Sequence, residues 1–132
     1  MHVFECFFSL SLHPMPKEVE IIDITISELD FYVINKVREI RAKKKISQVD
    51  LSIAMKIAEG AIGKIENPKE RAKYNIRHIN LLAKALGCSP KDFFPDKALK
   101  NDMIEIKLQI TRKRNVNTGE ANYEVVDIRV VG

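Results

Sequence analysis

Residues 47–67 read SQVDLSIAMKIAEGAIGKIEN, and the reading of this stretch decides the fold. Two short apolar periodicities flank a tight break. Leu51 and Met55, four apart, form the stripe of a helix opened by Ser47, whereas Ile62 and Ile65, three apart, form the stripe of a second. Ile57 lies in the break and anchors the corner. The spacing predicts two short helices meeting at a steep angle. Lys56 stands at the corner, where a left-handed backbone is usual and costs a non-glycine residue about 1 kcal/mol, so local strain is expected.

Further elements follow on both sides. Ser27-Glu28-Leu29-Asp30 opens a first helix with an acidic residue three after the cap, and Leu29, Val33, Val37 and Ile40 give it an apolar stripe. Asn75 caps a fourth helix, with Ile76, Ile79, Leu82, Ala83 and Leu86 on its inner face and Gly87 at its end. Ser89-Pro90-Lys91-Asp92 starts a short fifth helix, plugged by Phe93-Phe94 and stopped by Pro95.

On these residues the segment 36–94 resembles the Xre/Cro type of helix-turn-helix domain of phage and bacterial repressors. Ser47-Gln48 opens the second helix, Leu51 and Met55 form its core, Ile57 sits in the turn, Ile62 and Ile65 back the reading helix, and Glu66-Asn67 follow. The resemblance implies a third helix lying in the major groove of double-stranded DNA. It also implies a buried pair, Arg41 with Glu66, tying helix one to the end of helix three. Four positions depart from the pattern: Lys45 and Lys56 replace customary glycines, Ser52 a small alanine between helices two and three, and Pro68 a glycine.

By the same resemblance Glu59, Gly60, Ala61, Gly63 and Lys64 form the outward surface of the reading helix. Glu59 suits a cytosine amino group, Ala61 a thymine methyl, and Lys64 a guanine edge or a phosphate. The surface holds no arginine, and its two glycines each weaken a helix by about 1 kcal/mol relative to alanine. Gln48 and the backbone around Asn67 resemble the family's phosphate clamps. Residues 41–77 hold ten Lys/Arg against four Asp/Glu, a net +6, while residues 1–40 sum to −4 and residues 78–132 to +2. Lys43, Lys44 and Lys45 precede helix two, and Lys69, Arg71 and Lys73 follow helix three, so both ends of the motif can meet phosphates. Any one of these cations is also an ordinary surface charge, and only their clustering points to a duplex.

The C-terminal region changes period. Ile104, Ile106, Leu108 and Ile110 alternate with polar residues, and after turn-forming residues 115–119 a second strand over 123–131 carries Val126, Ile128 and Val130 on one face. This predicts a β-hairpin, which is marginal alone and needs cover from its own helical domain or from a second copy, with homodimerisation preferred. Residues 19–26 look extended, with Ile22, Ile24 and Ile26 on one face; they read as an extra strand for the hairpin or as a disordered arm. Residues 1–16 are apolar, but Glu5 interrupts them and no basic start precedes them, so they resemble a signal peptide only superficially. Met15 offers an alternative translation start, which would leave residues 1–14 untranslated.

Together these readings predict a mainly α chain: a leader or arm over 1–26, a five-helix phage-repressor-like domain over 27–95, and a linker with a β-hairpin, as a dimerisation element, over 96–132. At 132 residues and 45% hydrophobic content, the chain can bury one modest core with appendages. Cys6 and Cys88 lack metal spacing, and His2, His13 and His78 are isolated. No enzyme, metal or cofactor is expected, nor a membrane span. Two function classes stay open: a DNA-binding transcriptional regulator, a repressor in a bacterial or phage-like cytoplasm at the nucleoid, and an antitoxin-like module that covers a toxin or other protein partner.

Overall fold

The computed structural model describes residues 19–114 and 121–130, with side chains over 19–111 and 124–130. The leader, Met15 and the turn over 115–119 lie outside the described residues. Among the described residues seven elements of regular structure run in the order β1 (Val19–Ser27), α1 (Glu28–Lys43), α2 (Gln48–Met55), α3 (Ala61–Glu66), α4 (Ile76–Leu86), β2 (Met103–Arg114) and β3 (Ala121–Val130), with a 3₁₀ turn at Pro90–Phe93 between α4 and β2. They group into a helical unit over residues 25–104 and a sheet unit that takes in residues 19–24, 105–114 and 121–129.

Local chemistry sets the helix ends. The Ser27 hydroxyl accepts the Asp30 amide at 2.9 Å and the Ser47 hydroxyl accepts the Asp50 amide at 3.0 Å, so each satisfies one of the free amides of a helix start. At α4 the Asn75 side chain accepts the His78 amide at 2.9 Å, while His78 Nδ1 accepts the Asn75 amide at 3.1 Å. That reciprocal box uses a histidine where glutamate or glutamine is usual. Gly87 ends α4 in the left-handed region, at φ 67°.

The core of the helical unit gathers Val33 and Val37 from α1, Leu51 and Met55 from α2, Ile62 from α3, Leu82, Ala83 and Leu86 from α4, and Phe93. Each large aliphatic or aromatic side chain removed from water in this way contributes roughly 1.5–3 kcal/mol. Glu28 closes the unit, because its carboxylate accepts the Asn101 amide at 3.1 Å and its own amide donates to the Asp102 carbonyl at 2.8 Å.

Four expectations need correction. Helix five is a single 3₁₀ turn, so the unit has four α-helices: Pro90 starts it and Pro95 stops the chain before an α-helical turn can repeat. Phe93 is the plug, whereas Phe94 is 38% exposed. Ile76, the first residue of α4, is 91% exposed rather than inward. Leu29 lies half out of the α1 stripe, at 45% exposure.

In the sheet, residues 19–27 form a strand rather than an arm, and the antiparallel order is β1-β2-β3. Ion pairs define its polar face: Lys107 Nζ lies 3.3 Å from Asp23, and Arg129 lies 4.0 Å from Glu105 and 3.6 Å from Asp127. Alternation then puts Ile22 and Ile24, Ile106, Leu108 and Ile110, and Val126 and Ile128 on the other face. Ile106, Leu108 and Ile110 are buried within the single chain, but Val126 is 54% and Ile128 50% exposed. Among the described residues no helix is long and apolar enough to cross a membrane.

Candidate nucleic-acid interface

A buried ionic cluster holds the two short helices from behind. Arg41 Nε donates to Glu66 Oε2 at 3.1 Å and Nη2 to Oε1 at 2.6 Å, and both residues are at most 5% exposed. Arg41 Nη1 donates to the Ile46 carbonyl at 2.9 Å, Gln48 Nε2 donates to Glu66 Oε1 at 3.0 Å, and Arg38 Nε lies 3.6 Å from the same oxygen. One carboxylate at the last residue of α3 therefore gathers α1 and the first residue of α2, while Arg41 also holds the α1–α2 link. Burial pushes the Glu66 carboxyl above its usual range, against Arg41, Gln48 and Arg38, which pull it down. The Tyr74 phenol is pushed up by its own burial and by the nearby Glu66 charge, and it stays neutral at any physiological pH.

The turn between α2 and α3 carries the expected strain. Lys56 adopts φ 57° and ψ 42°, and its amide closes α2 on the Ile53 and Ser52 carbonyls. Lys45, at φ 57°, repeats the conformation between α1 and α2. Gly60 precedes α3 at φ 83°, with open space where a Cβ would stand, so glycine is there for its backbone alone. Ser52 is 2% exposed between the helices, and neither its hydroxyl nor that of Tyr74 has a hydrogen-bond partner among the described residues.

The residues expected on the outer surface divide. Glu59, Gly60 and Lys64 are exposed and Ala61 is half-buried, but Gly63 faces α2: a Cβ added to it would come within 3.2 Å of Gln48 Oε1. That glycine serves close helix approach rather than a bare outer surface. Gln48, half-buried at the first position of α2, turns its amide inward to Glu66. Asn67 follows α3 with its Oδ1 accepting the Lys69 amide at 3.0 Å.

Among the flanking cations, Lys43, Lys44, Lys69 and Arg71 are exposed. Lys43 Nζ lies 3.6 Å from Glu39 one turn back. Lys73 is half-buried, with its Nζ on the carbonyls of Arg71 and Ala72 at 3.1 and 3.4 Å. Sequence reasoning missed Arg38 and Tyr74 beside Glu66. Nothing in their local spacing marks them, because the carboxylate that gathers them is remote in the chain.

The comparisons with known proteins agree with this geometry. Residues 36–98 match the family model of a Cro/C1-type helix-turn-helix DNA-binding domain. No curated protein and no solved structure matches the chain.

Proposed function

We propose, on the premise that residues 36–98 are a Cro/C1-type helix-turn-helix DNA-binding domain, that this chain is a sequence-specific transcriptional regulator, a repressor that binds as a homodimer with α3 in the major groove. The observation that carries the reading is the cluster on Glu66, which clamps α3 from behind while Glu59, Gly60 and Lys64 stay exposed within a segment of net charge +6. A helix that reads base edges has to be rigidly aimed and unencumbered in front.

On this reading Lys64 reaches a guanine edge or a phosphate, Ala61 meets a thymine methyl, and Glu59 accepts from a cytosine amino group. The backbone at Gln48 and at Asn67, with Lys43, Lys44, Lys69, Arg71 and Lys73, holds the phosphates on either side and sets the register. Gly63 has no base to read and instead keeps α3 close to Gln48. The protein then works in a bacterial or phage-like cytoplasm, on the nucleoid. The family match favours this over the antitoxin-like alternative.

Selection of the purified protein on randomised duplex DNA, at two salt concentrations, tests it. The expected result is an enriched inverted repeat. Binding that enriches no motif and vanishes as salt rises would reduce the interaction to phosphate contact and overturn the reading. Lys64→Ala should weaken binding to the selected site by about 1–3 kcal/mol without changing the circular dichroism of the fold; unchanged affinity would move the reading surface away from α3.

A further inference from the structure

We infer that two copies of this chain join through β3, edge to edge and antiparallel, with Ile128 on the two-fold axis, so that the two three-stranded sheets become one of six strands. The inference deepens the homodimeric reading above and rests on it only for the requirement of two copies. Among the described residues β3 lies at one edge of the order β1-β2-β3, where alternate amides and carbonyls point away from β2 and can pair with a further strand. Its apolar side is uncovered where the matching residues of β2 are buried: Val126 and Ile128 are about half exposed, and Val130 is 64% exposed. The remaining question is the occupant, and the charges answer it.

A two-fold axis perpendicular to the sheet keeps both faces in register only if it passes through one residue and its own copy. With Ile128 on the axis, Val126 faces Val130 of the other copy and Ile128 faces Ile128, an unbroken apolar row. On the polar face Asp127 then stands opposite Arg129 of the other copy, and Arg129 opposite Asp127, giving two opposite-charge cross-strand pairs. Moving the axis to Asp127 puts two aspartates in direct opposition, and moving it to Arg129 does the same with two arginines. An axis at Val126 places Asp127 against Val125 and wastes both charges. The sequence VVDIRV from Val125 to Val130 is thus self-complementary in one register. Arg129 and Asp127 are 58% and 52% exposed, and although they lie 3.6 Å apart and Arg129 also lies 4.0 Å from Glu105, both keep enough open surface for a further partner across the edge.

The test uses the full chain without DNA. Sedimentation should give a dimer for the wild type. Asp127→Arg and Arg129→Asp should each raise the dimer dissociation constant by about tenfold or more, because each places like charges opposite one another twice. Mixing the two variants should restore a dimer of one copy of each, since every opposed pair is again of opposite sign. Face-to-face packing of the apolar sides would leave the polar residues apart and predicts no such rescue. In a background with Cys6 and Cys88 replaced by Ser, Ile128→Cys should oxidise to a covalent dimer. Val126→Cys alone should not, because its two copies would stand about 13 Å apart along the strands, beyond disulfide reach. Val126→Cys mixed with Val130→Cys should cross-link.

A monomeric wild type, a failure of the mixture to rescue, or cross-linking that prefers residue 126 with itself would overturn the interface. A monomer that still enriches a half-site would sink the interface and spare the DNA reading; the mapped cross-links without any enriched motif would do the reverse.

Discussion

Lys56 spends conformational energy that a glycine would not. Its φ of 57° is forced by the corner between α2 and α3, and its side chain is exposed. Replacing it with glycine should therefore raise stability by up to about 1 kcal/mol, the left-handed penalty less the extra freedom glycine brings to the unfolded chain. A urea titration checks this: the midpoint should rise with an unchanged slope. A lower midpoint would show that the lysine makes a contact worth more than the strain. Such strain was expected at Lys56; at Lys45, which also stands where the resembling family has glycine, only the departure itself was legible. The position of Gly63 was not. In a helix of six residues, two turns of periodicity are not available to say which side faces out, and only the approach of Gln48 decides it.

The element that aims α3 is the Arg41–Glu66 cluster, and its energetics are asymmetric. Arg41→Met leaves Glu66 buried without its main partner and should cost about 3–5 kcal/mol, whereas Arg41→Met with Glu66→Leu should recover most of that loss, since a matched apolar pair needs no compensation. Thermal unfolding of both variants reads it directly, and equal losses would show that the geometry of the carboxylate matters beyond its charge. At α4 the capping box brings a pH dependence. His78 Nδ1 must be unprotonated to accept the Asn75 amide, and burial, followed by the Arg77 charge, lowers its pKa from 6.5. The unfolded chain then binds more protons in that window, so the contribution is complete above about pH 6.5 and is lost as pH falls through the lower folded value. His78→Gln keeps an acceptor and should flatten the slope of stability between about pH 7.5 and 5; an unaltered slope would assign it to other groups.

The caps at Ser27, Ser47 and Asn75 could be read from sequence because a cap is a local event, one side chain meeting an amide three residues on. The inward assignment of Ile76 failed because the first residue of a helix sits before the stripe has wound onto its face. Phe93 and Phe94 could not be told apart, since a 3₁₀ turn does not hold a pair on one side.

For the whole molecule, the concentration of charge in residues 41–77 governs behaviour in salt. Each phosphate contact neutralised by a lysine or arginine adds about 0.9 to the slope of log affinity against log salt. Neutralising Lys43, Lys44, Lys69 and Arg71 together should lower that slope by up to about 3.6 while the selected motif stays the same. A changed motif would mean that one of them reads bases. At this scale the sequence showed alternation in three stretches and joined the last two through a turn, but not which strand of that hairpin residues 19–26 would flank, because a partner remote in the chain is set by packing and leaves no mark in either strand alone.

That order has a consequence for synthesis. Among the described residues β1 precedes the four helices and β2, its neighbour in the sheet, follows them, so the pairing of Val19–Ser27 with β2 waits until Met103–Arg114 has been translated. Helices α1 to α4 are joined by local contacts and can close first, and the sheet must wait for a long-range encounter. β3 comes later still. A nascent chain therefore cannot present the β3 edge to its neighbours on the same messenger while it is still being translated through the helices, and assembly must follow the synthesis of β3.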